Sequence, residues 1–375
     1  MKRICIYCEK WASGGIESFL AAMLSKLDFG SAGFQIDIVA SRMEKSIFTA
    51  PLQRLGISFY QLSGDRNCIF QNRKEFIKLL EQKRYDVLHV NAFHAASLYY
   101  LCLGRRYGIP KRIAHSHNSD LRQGKFRWLK LAVHDWGKRH FVQEATELWA
   151  CSSAAAQFMF STDQGVRIIP NGIDTARFRF RPDQRTAVKK RLHIDDQIVI
   201  GHVGRLSYQK NQMFLLSVFQ RLIQHIPNSR LMLVGDGELE ERLKDKAAAL
   251  GLADRVLFVG ATERVEELLW AMDVFWFPSL FEGLGIAAVE AQAAGLPVLC
   301  STNVPQEALL LPAVQALPLD GEEDTWVKKT LALCERSVCR EDCAELVRAK
   351  GYDMRDVACL IAGLYQAECA TRGKI

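Results

Sequence analysis

The sequence predicts an α/β protein of two doubly wound, Rossmann-like domains, and three observations carry that expectation. Its 375 residues suit two to three domains at roughly 150 residues each. Short, continuously apolar runs alternate with longer segments of helical periodicity, the pattern of parallel strands covered by helices on both faces. The alternation runs twice, with a polar break between the two series.

The first series reads as strands at residues 3–7, 35–40, 57–62, 87–91, 112–114, 147–151 and 166–169. Helices are expected between them, among others at 15–27 and at 71–82, the latter with Phe76, Leu79 and Leu80 at helical spacing. Residues 170–194, with Asn171-Gly172, Pro182 and few apolar side chains, read as a connector. Strands of the second series are expected at 198–203, 230–234, 255–259, 274–277, 297–300 and 314–317. Open parallel sheets bind ligands outside the carboxyl ends of their strands, so two of them are expected to face one another across a ligand cleft.

Composition narrows the class. With 49% hydrophobic and 24% charged residues, the chain is neither disordered, collagenous nor a disulfide miniprotein. No run approaches the roughly 18 apolar residues of a membrane span; the likeliest, 98–103, is cut off by Gly104, Arg105 and Arg106. Met1-Lys2-Arg3 leads into a short apolar run without a long h-region or cleavage site, so a cytoplasmic protein is expected. Eleven cysteines, several of them (Cys5, Cys151, Cys300) inside apolar runs, are expected to stay reduced. Cys5-x-x-Cys8 opens the first strand with no second pair at zinc spacing, and Cys334, Cys339 and Cys343 fit helix packing better than a metal site. The first 180 residues hold 26 Lys+Arg against 15 Asp+Glu, the remainder 23 against 27. That asymmetry suggests an anionic partner for the front half: nucleic acid, a membrane surface or a phosphorylated substrate.

The residues that follow each strand carry the candidate chemistry. Ser13-Gly14-Gly15-Ile16-Glu17 opens a helix, where close backbone approach and a helix N-terminus suit a phosphate; a plain strand-to-helix turn is the alternative. His115 and His117 end the fifth strand, as site residues, as a structural pair or as two metal ligands lacking a third. Arg205 and Lys210 share the loop after the first strand of the second series, five positions apart, where both can meet a diphosphate. The strongest constellation is 279–291: Glu282, then Gly283-Leu284-Gly285, then Glu290 eight positions on, about two turns into the expected helix, so that two carboxylates address one pocket. Gly283-x-Gly285-x-x-Ala288 also matches a dinucleotide fingerprint, but at the wrong strand of its domain and without the ribose-binding acid, which argues against a nicotinamide enzyme. Finally, 122–141 places Arg127, Lys130, His134 and Lys138 in a basic stripe beside Phe126, Trp128, Leu129, Val133 and Trp136. Such a segment either lies against an anionic membrane or packs its aromatics inward.

Together these residues resemble the retaining family 4 glycosyltransferases, whose two Rossmann-like domains form the GT-B fold, over nearly the whole chain from Gly14-Gly15-Ile16-Glu17 to Glu290. The Glu-x7-Glu element is the most specific mark; Asn171-Gly172-Ile173-Asp174 and Val234-Gly235-Asp236-Gly237 are similar too. The resemblance implies an acceptor-binding domain over 1–180, a nucleotide-sugar domain over 181–355, and a C-terminal helix over 356–375 packing back on the first. It implies that Glu282 and His117 are catalytic, and that Gly283, Leu284 and Gly285 line the donor-sugar pocket. It assigns the donor diphosphate to Arg205, Lys210 and Gly15, the ribose to Glu290, and the base to backbone contacts at Gly260 and Ala261. Ser301-Thr302-Asn303 departs from the Gly-Gly pair many relatives carry after the next strand, which leaves the donor sugar open. His115-Ser116-His117-Asn118 looks like the branch that builds capsule or exopolysaccharide, with a glycan or lipid-linked acceptor and, by resemblance alone, a UDP-sugar donor. No cofactor is expected, and without an Asp-x-Asp triplet the two cations are expected to replace a metal on the diphosphate. A nucleotide-sugar 2-epimerase of the same fold and a non-catalytic nucleotide-binding module are the alternatives. A nucleic-acid partner is disfavoured, because aromatic-basic RNA motifs are lacking.

Overall fold

Parallel pairing organises both halves of the chain. A computed structural model describes residues 1–12, 15–27, 33–62, 68–121, 126–335 and 339–368. Ser13 and Gly14 of the first glycine turn, 122–125 of the basic segment and the last seven residues of the expected C-terminal helix lie outside the described residues. The chain divides into two units, one of Met1–Gly172 with the chain from Met354 on, the other of Ile173–Asp353.

The first unit holds β1 (Lys2–Trp11), β2 (Phe34–Met43), β3 (Ser58–Gln61), β4 (Val87–Ala92), β5 (Lys111–Ser116), β6 (Glu147–Ala150) and β7 (Arg167–Ile168). They pair in the order β3-β2-β1-β4-β5-β6-β7, parallel throughout. The second unit holds β8 (Ile198–Val203), β9 (Ser229–Val234), β10 (Val256–Gly260), β11 (Val274–Phe277), β12 (Val298–Ser301) and β13 (Val314–Leu317), ordered β10-β9-β8-β11-β12-β13 and likewise parallel. Every strand expected from the sequence is present. In each sheet the order reverses once, between β1 and β4 and between β8 and β11, and crevices at such switch points are where doubly wound sheets bind ligands.

Each core explains its unit. In the first, Ile4, Ile6 and Ile38 of the sheet pack against Phe19, Leu20 and Leu24 of the helix Gly15–Lys26, and against Met354, Val357, Ile361 and Tyr365 of the last helix, Met354–Gln366. Lys111 Nζ donates to Leu364 O and Ala367 O at 2.5 and 2.7 Å, a cation on the carbonyl end of that helix. In the second, Ile200, Leu231, Leu233, Trp276 and Leu299 pack with Leu215, Phe219 and Trp326.

Two expectations need correction. The polar stretch 170–194 is not a plain connector: it forms the helices Thr175–Phe178 and Pro182–Arg191, and the second packs on the helix Val265–Ala271. Charge rather than apolar area anchors it, which is why periodicity did not reveal it. Arg185 donates to Trp270 O, Met272 O and Asp273, and Lys189 to Gln197 O; Arg191 pairs with Glu267. In the helix Arg127–Phe141, His134 is buried and leaves the basic stripe, its ring accepting from Ala95 N and bonded to Phe158 O. Gly137 lies against the backbone of Ala95 and Ala96, where a Cβ would come within 2.7 Å. With the narrow His134–Gly137 edge inward, Phe126, Trp128 and Trp136 face solvent at 66, 68 and 52% exposure, so the aromatics do not pack inward.

The Gly235-Asp236-Gly237 turn after β9 supports the loop after β8 from beneath. Leu206 N donates to Asp236 O and Leu239 N to Leu206 O. Gly235 has φ +129, and a Cβ there would stand 2.3 Å from Gly204 O. Gly235→Ala is therefore expected to lower stability by about 2 kcal/mol, the scale of a strained backbone position combined with an overpacked contact; urea unfolding measures it, and an unchanged midpoint refutes the close approach.

Candidate functional site

The switch point of the second sheet assembles its site from two loops. The loop after β8 runs through the 3₁₀ turn Tyr208–Lys210 to Asn211, which adopts φ +57 in the left-handed region that asparagine tolerates, and then into the helix Gln212–Leu222. The loop after β11 runs from Pro278 to Gly285, whose φ of +94 turns the chain into the helix Ile286–Ala293. Lys210 Nζ lies 2.6 Å from Glu282 Oε1, and both side chains are largely buried. The ammonium also stands 4.8 Å from the Phe277 ring centroid, a cation–π distance.

Neither member of that pair is left to find the other by chance. Leu280 N donates to Gln209 O at 2.8 Å and Gln209 Nε2 to Phe281 O at 2.9 Å, a two-way strap between the loops. Gln212, fully buried, uses its whole amide: Nε2 donates to Arg205 O and to His202 Nε2, and Oε1 accepts from Ser207 N. His202 Nδ1 donates to Trp276 O at 2.9 Å, which fixes its tautomer. Burial pushes His202 down to about 4, so the brace stays neutral at ordinary pH. Gln209, Gln212 and His202 were missed in the sequence, although both glutamines flank Lys210.

Glu290 sits one turn, not two, into its helix, because residues 283–285 belong to the loop. Burial pushes its carboxyl up to about 7, opposed by Arg177, helped by Glu266 and opposed by Lys210. Lys210 thus lies in the field of both carboxylates of the Glu-x7-Glu element. Arg177 itself pairs with Glu266 at 2.6 Å. Leu284 is buried beside Gly283 and Gly285, and a Cβ on Gly285 would reach 3.0 Å from the Phe277 ring.

Other expected residues stand apart from the pair. Arg205 is half exposed and its Nε lies 3.0 Å from Glu238 Oε2, so the two loop cations hold separate carboxylates. Gly260 closes β10 at φ +77, its carbonyl accepting from Gly235 N, and Ala261 follows on the surface.

In the first unit, Gly15 is the first residue of its helix, and Glu17 in the same turn accepts from Ala12 N. A Cβ on Gly15 would meet nothing within 4 Å, so packing among the described residues does not require the glycine. His117 follows β5, with Nε2 at 2.8 Å from Asn91 Oδ1 at the end of β4. Burial lowers His117 to about 3, partly offset by the side chain of Asn171. A carbonyl oxygen only accepts, so the Asn91 contact puts the ring proton on Nε2 and leaves Nδ1 as an acceptor. Asn91, near the carboxyl end of β4 and beside the switch, was not singled out in the sequence.

The pKa of Glu290 gives a pH signature. The folded-state value, about 7, lies above the unfolded 4.5, so the folded chain binds the extra proton between them and the group's contribution to stability falls as pH rises through that window. Glu290→Gln is expected to melt like the parent below pH 4.5 and higher than the parent at pH 8. Equal melting temperatures at both would show that the carboxyl is not held in a dry site.

Residues 183–343 match the family model described as Glycosyl transferases group 1, and residues 13–177 the model described as Glycosyltransferase Family 4. The chain is 29% identical over 378 residues to the putative glycosyltransferase EpsF of Bacillus subtilis (strain 168), covering 97% of this chain and 96% of that one. It is 30% identical over 233 residues to the UDP-Gal:alpha-D-GlcNAc-diphosphoundecaprenol alpha-1,3-galactosyltransferase of Escherichia coli, over 60% of this chain and 59% of that one. Among solved structures, Anabaena Alr3699/HepE in complex with UDP superposes with a TM-score of 0.77 at 19% identity, covering 97% and 99% of the two chains.

Proposed function

The chain belongs to the glycosyltransferases of the GT-B fold, and we propose that it transfers a sugar with retained configuration from a UDP-linked donor to a glycan or lipid-linked acceptor in capsule or exopolysaccharide synthesis. The observation that carries the reading is the Lys210–Glu282 contact at the second sheet's switch point, with Glu290 one turn further on. In this reading Ile173–Asp353 binds the nucleotide sugar and the first unit takes the acceptor, with His117 as its catalytic group and Gly15 as a phosphate contact. Breaking the anomeric bond builds charge on the diphosphate oxygens, and fixed cations stabilise it best when already oriented. Lys210 is oriented by its strapped loop; Arg205 exchanges Glu238 for phosphate. Glu282 contacts the donor sugar in the pocket of Gly283, Leu284 and Gly285, Glu290 as a carboxylate accepts from the ribose hydroxyls, and Gly260 and Ala261 hold the base. The cations replace a divalent metal, so chelation leaves the rate unchanged.

The Escherichia coli relative is named for a UDP-Gal donor and a diphosphoundecaprenol-linked acceptor, which supports the UDP and lipid-linked parts of the proposal, and the Anabaena structure holds UDP, which supports the first of them. The outward aromatics of the helix Arg127–Phe141, beside exposed Lys130 and Arg139, suit an anionic membrane face, each nearby cation adding about 1 kcal/mol. No described helix is long and apolar enough to cross a membrane, so attachment in this reading is peripheral.

Two experiments test the proposal. Lys210→Ala and Glu282→Ala are expected to lower turnover roughly 10²–10³-fold, the scale of losing one preorganised charge-stabilising group; the assay is release of nucleoside diphosphate across a panel of nucleotide sugars, with the product anomer read by NMR. Wild-type rates in both variants remove the pair from the mechanism, and epimerised sugar without diphosphate release replaces transfer with epimerisation. For the membrane, the chain is expected to sediment with anionic vesicles at low salt and Trp128→Ser/Trp136→Ser to stay in the supernatant; a wild-type chain that does not sediment excludes the attachment.

A further inference from the structure

We propose that Tyr365, on the last helix, sets the ring tautomers of His89 and His115 and through them positions His117; the inference rests on the reading of His117 as a catalytic group. The Tyr365 hydroxyl lies 2.6 Å from His89 Nδ1, and His89 Nε2 lies 3.1 Å from His115 Nδ1. The His115 and His117 rings are then packed at 4.0 Å between centroids. Trp149 stacks on Tyr365 and meets both His89 and His115 edge-on, while Phe19 lies against His115 and His117. The row therefore runs from the last helix to the end of β5 through buried side chains.

Hydrogen-bond accounting gives the row a direction. Among the described residues the Tyr365 hydroxyl has no partner besides His89, so its proton goes to His89 Nδ1. His89 then carries its own proton on Nε2 and donates it to His115 Nδ1, which leaves His115 with Nε2–H. Among the described residues that nitrogen is buried without a partner. In the reverse order His115 donates to His89 and His89 to Tyr365, and then two groups go unpaired, the tyrosine proton and the His115 lone pair. A buried unpaired group forfeits its hydration, so the arrangement with one orphan is favoured over that with two. Burial holds His89 at about 3 and His115 well below the ordinary histidine range, so the rings stay neutral and tautomer is the variable left to set. The ring packed on His117 thus carries its N–H on the nitrogen remote from His89, and a reversal of the tautomer reverses the dipole that stands 4.0 Å, centroid to centroid, from the His117 ring. Tyr365 touches no reacting atom; it is a positioning residue.

Tyr365→Phe keeps the aromatic packing and deletes only the donor. Imidazole ¹⁵N shifts of the full chain are expected to show His89 and His115 protonated on Nε2 in the wild type, and mixed or reversed in the variant. In the same variant kcat for diphosphate release from a UDP-sugar is expected to fall about fivefold to tenfold, the effect of one hydrogen bond, with the donor KM unchanged because Arg205, Lys210 and Glu290 lie on the other sheet and the Gly15 contact is a backbone one that Tyr365→Phe leaves in place. An unchanged ¹⁵N pattern overturns the proposal, as does a changed pattern with unchanged kcat. His117→Ala separates this from a failure of the premise: wild-type turnover there removes His117 from the reaction and the inference with it, whereas a large loss with a silent Tyr365→Phe overturns the inference alone.

Discussion

The contact between Lys210 and Glu282 is the constraint around which the second unit is arranged. A buried ion pair adds little net stability, because desolvation of both charges offsets most of their attraction, yet removing one partner strands the other. Its place in the fold is better explained by what surrounds it. Gln209 ties the two loops together, Gln212 and His202 fix one of them to β8 and β11, and the glycine turn after β9 props it from below. The result is an ammonium whose position is set before any ligand arrives, which is the condition under which a fixed charge lowers a barrier without reorganising.

Much of this was legible in the sequence, for a physical reason. Strands covered on both faces are continuously apolar, so every one of the thirteen stood out, and the rule that ligands bind outside the carboxyl ends of parallel strands then pointed to the loops that bear Lys210, Glu282 and His117. What escaped were interactions that leave no period. The helix Pro182–Arg191 is fastened by Arg185, Lys189 and Arg191 to carbonyls and carboxylates far away in the chain, and its composition reads as a linker. Glu290 was placed a turn too deep because a left-handed Gly285 delays the helix. The bracing glutamines look like ordinary polar residues until their partners are known.

The helix Arg127–Phe141 shows the same limit from the other side. Its apolar and basic residues left two orientations open, and one glycine decides between them. Without a side chain at Gly137 the helix seats a thin edge against Ala95 and Ala96, His134 satisfies its ring on backbone groups, and the bulky aromatics are left on the outside. The sequence announces an amphipathic helix; a backbone contact to a distant turn determines which side is turned out.

The last helix carries a consequence for biogenesis. Lys2 Nζ donates to Tyr365 O across a separation of 363 residues, and Met354, Val357 and Ile361 complete the core beneath β1 and β2. A ribosome delivers those residues only after the whole of Ile173–Asp353 has emerged. The first sheet, whose last strand ends at Ile168, therefore stands with an apolar flank bare while the second unit is made, until the helix Met354–Gln366 arrives to close the core.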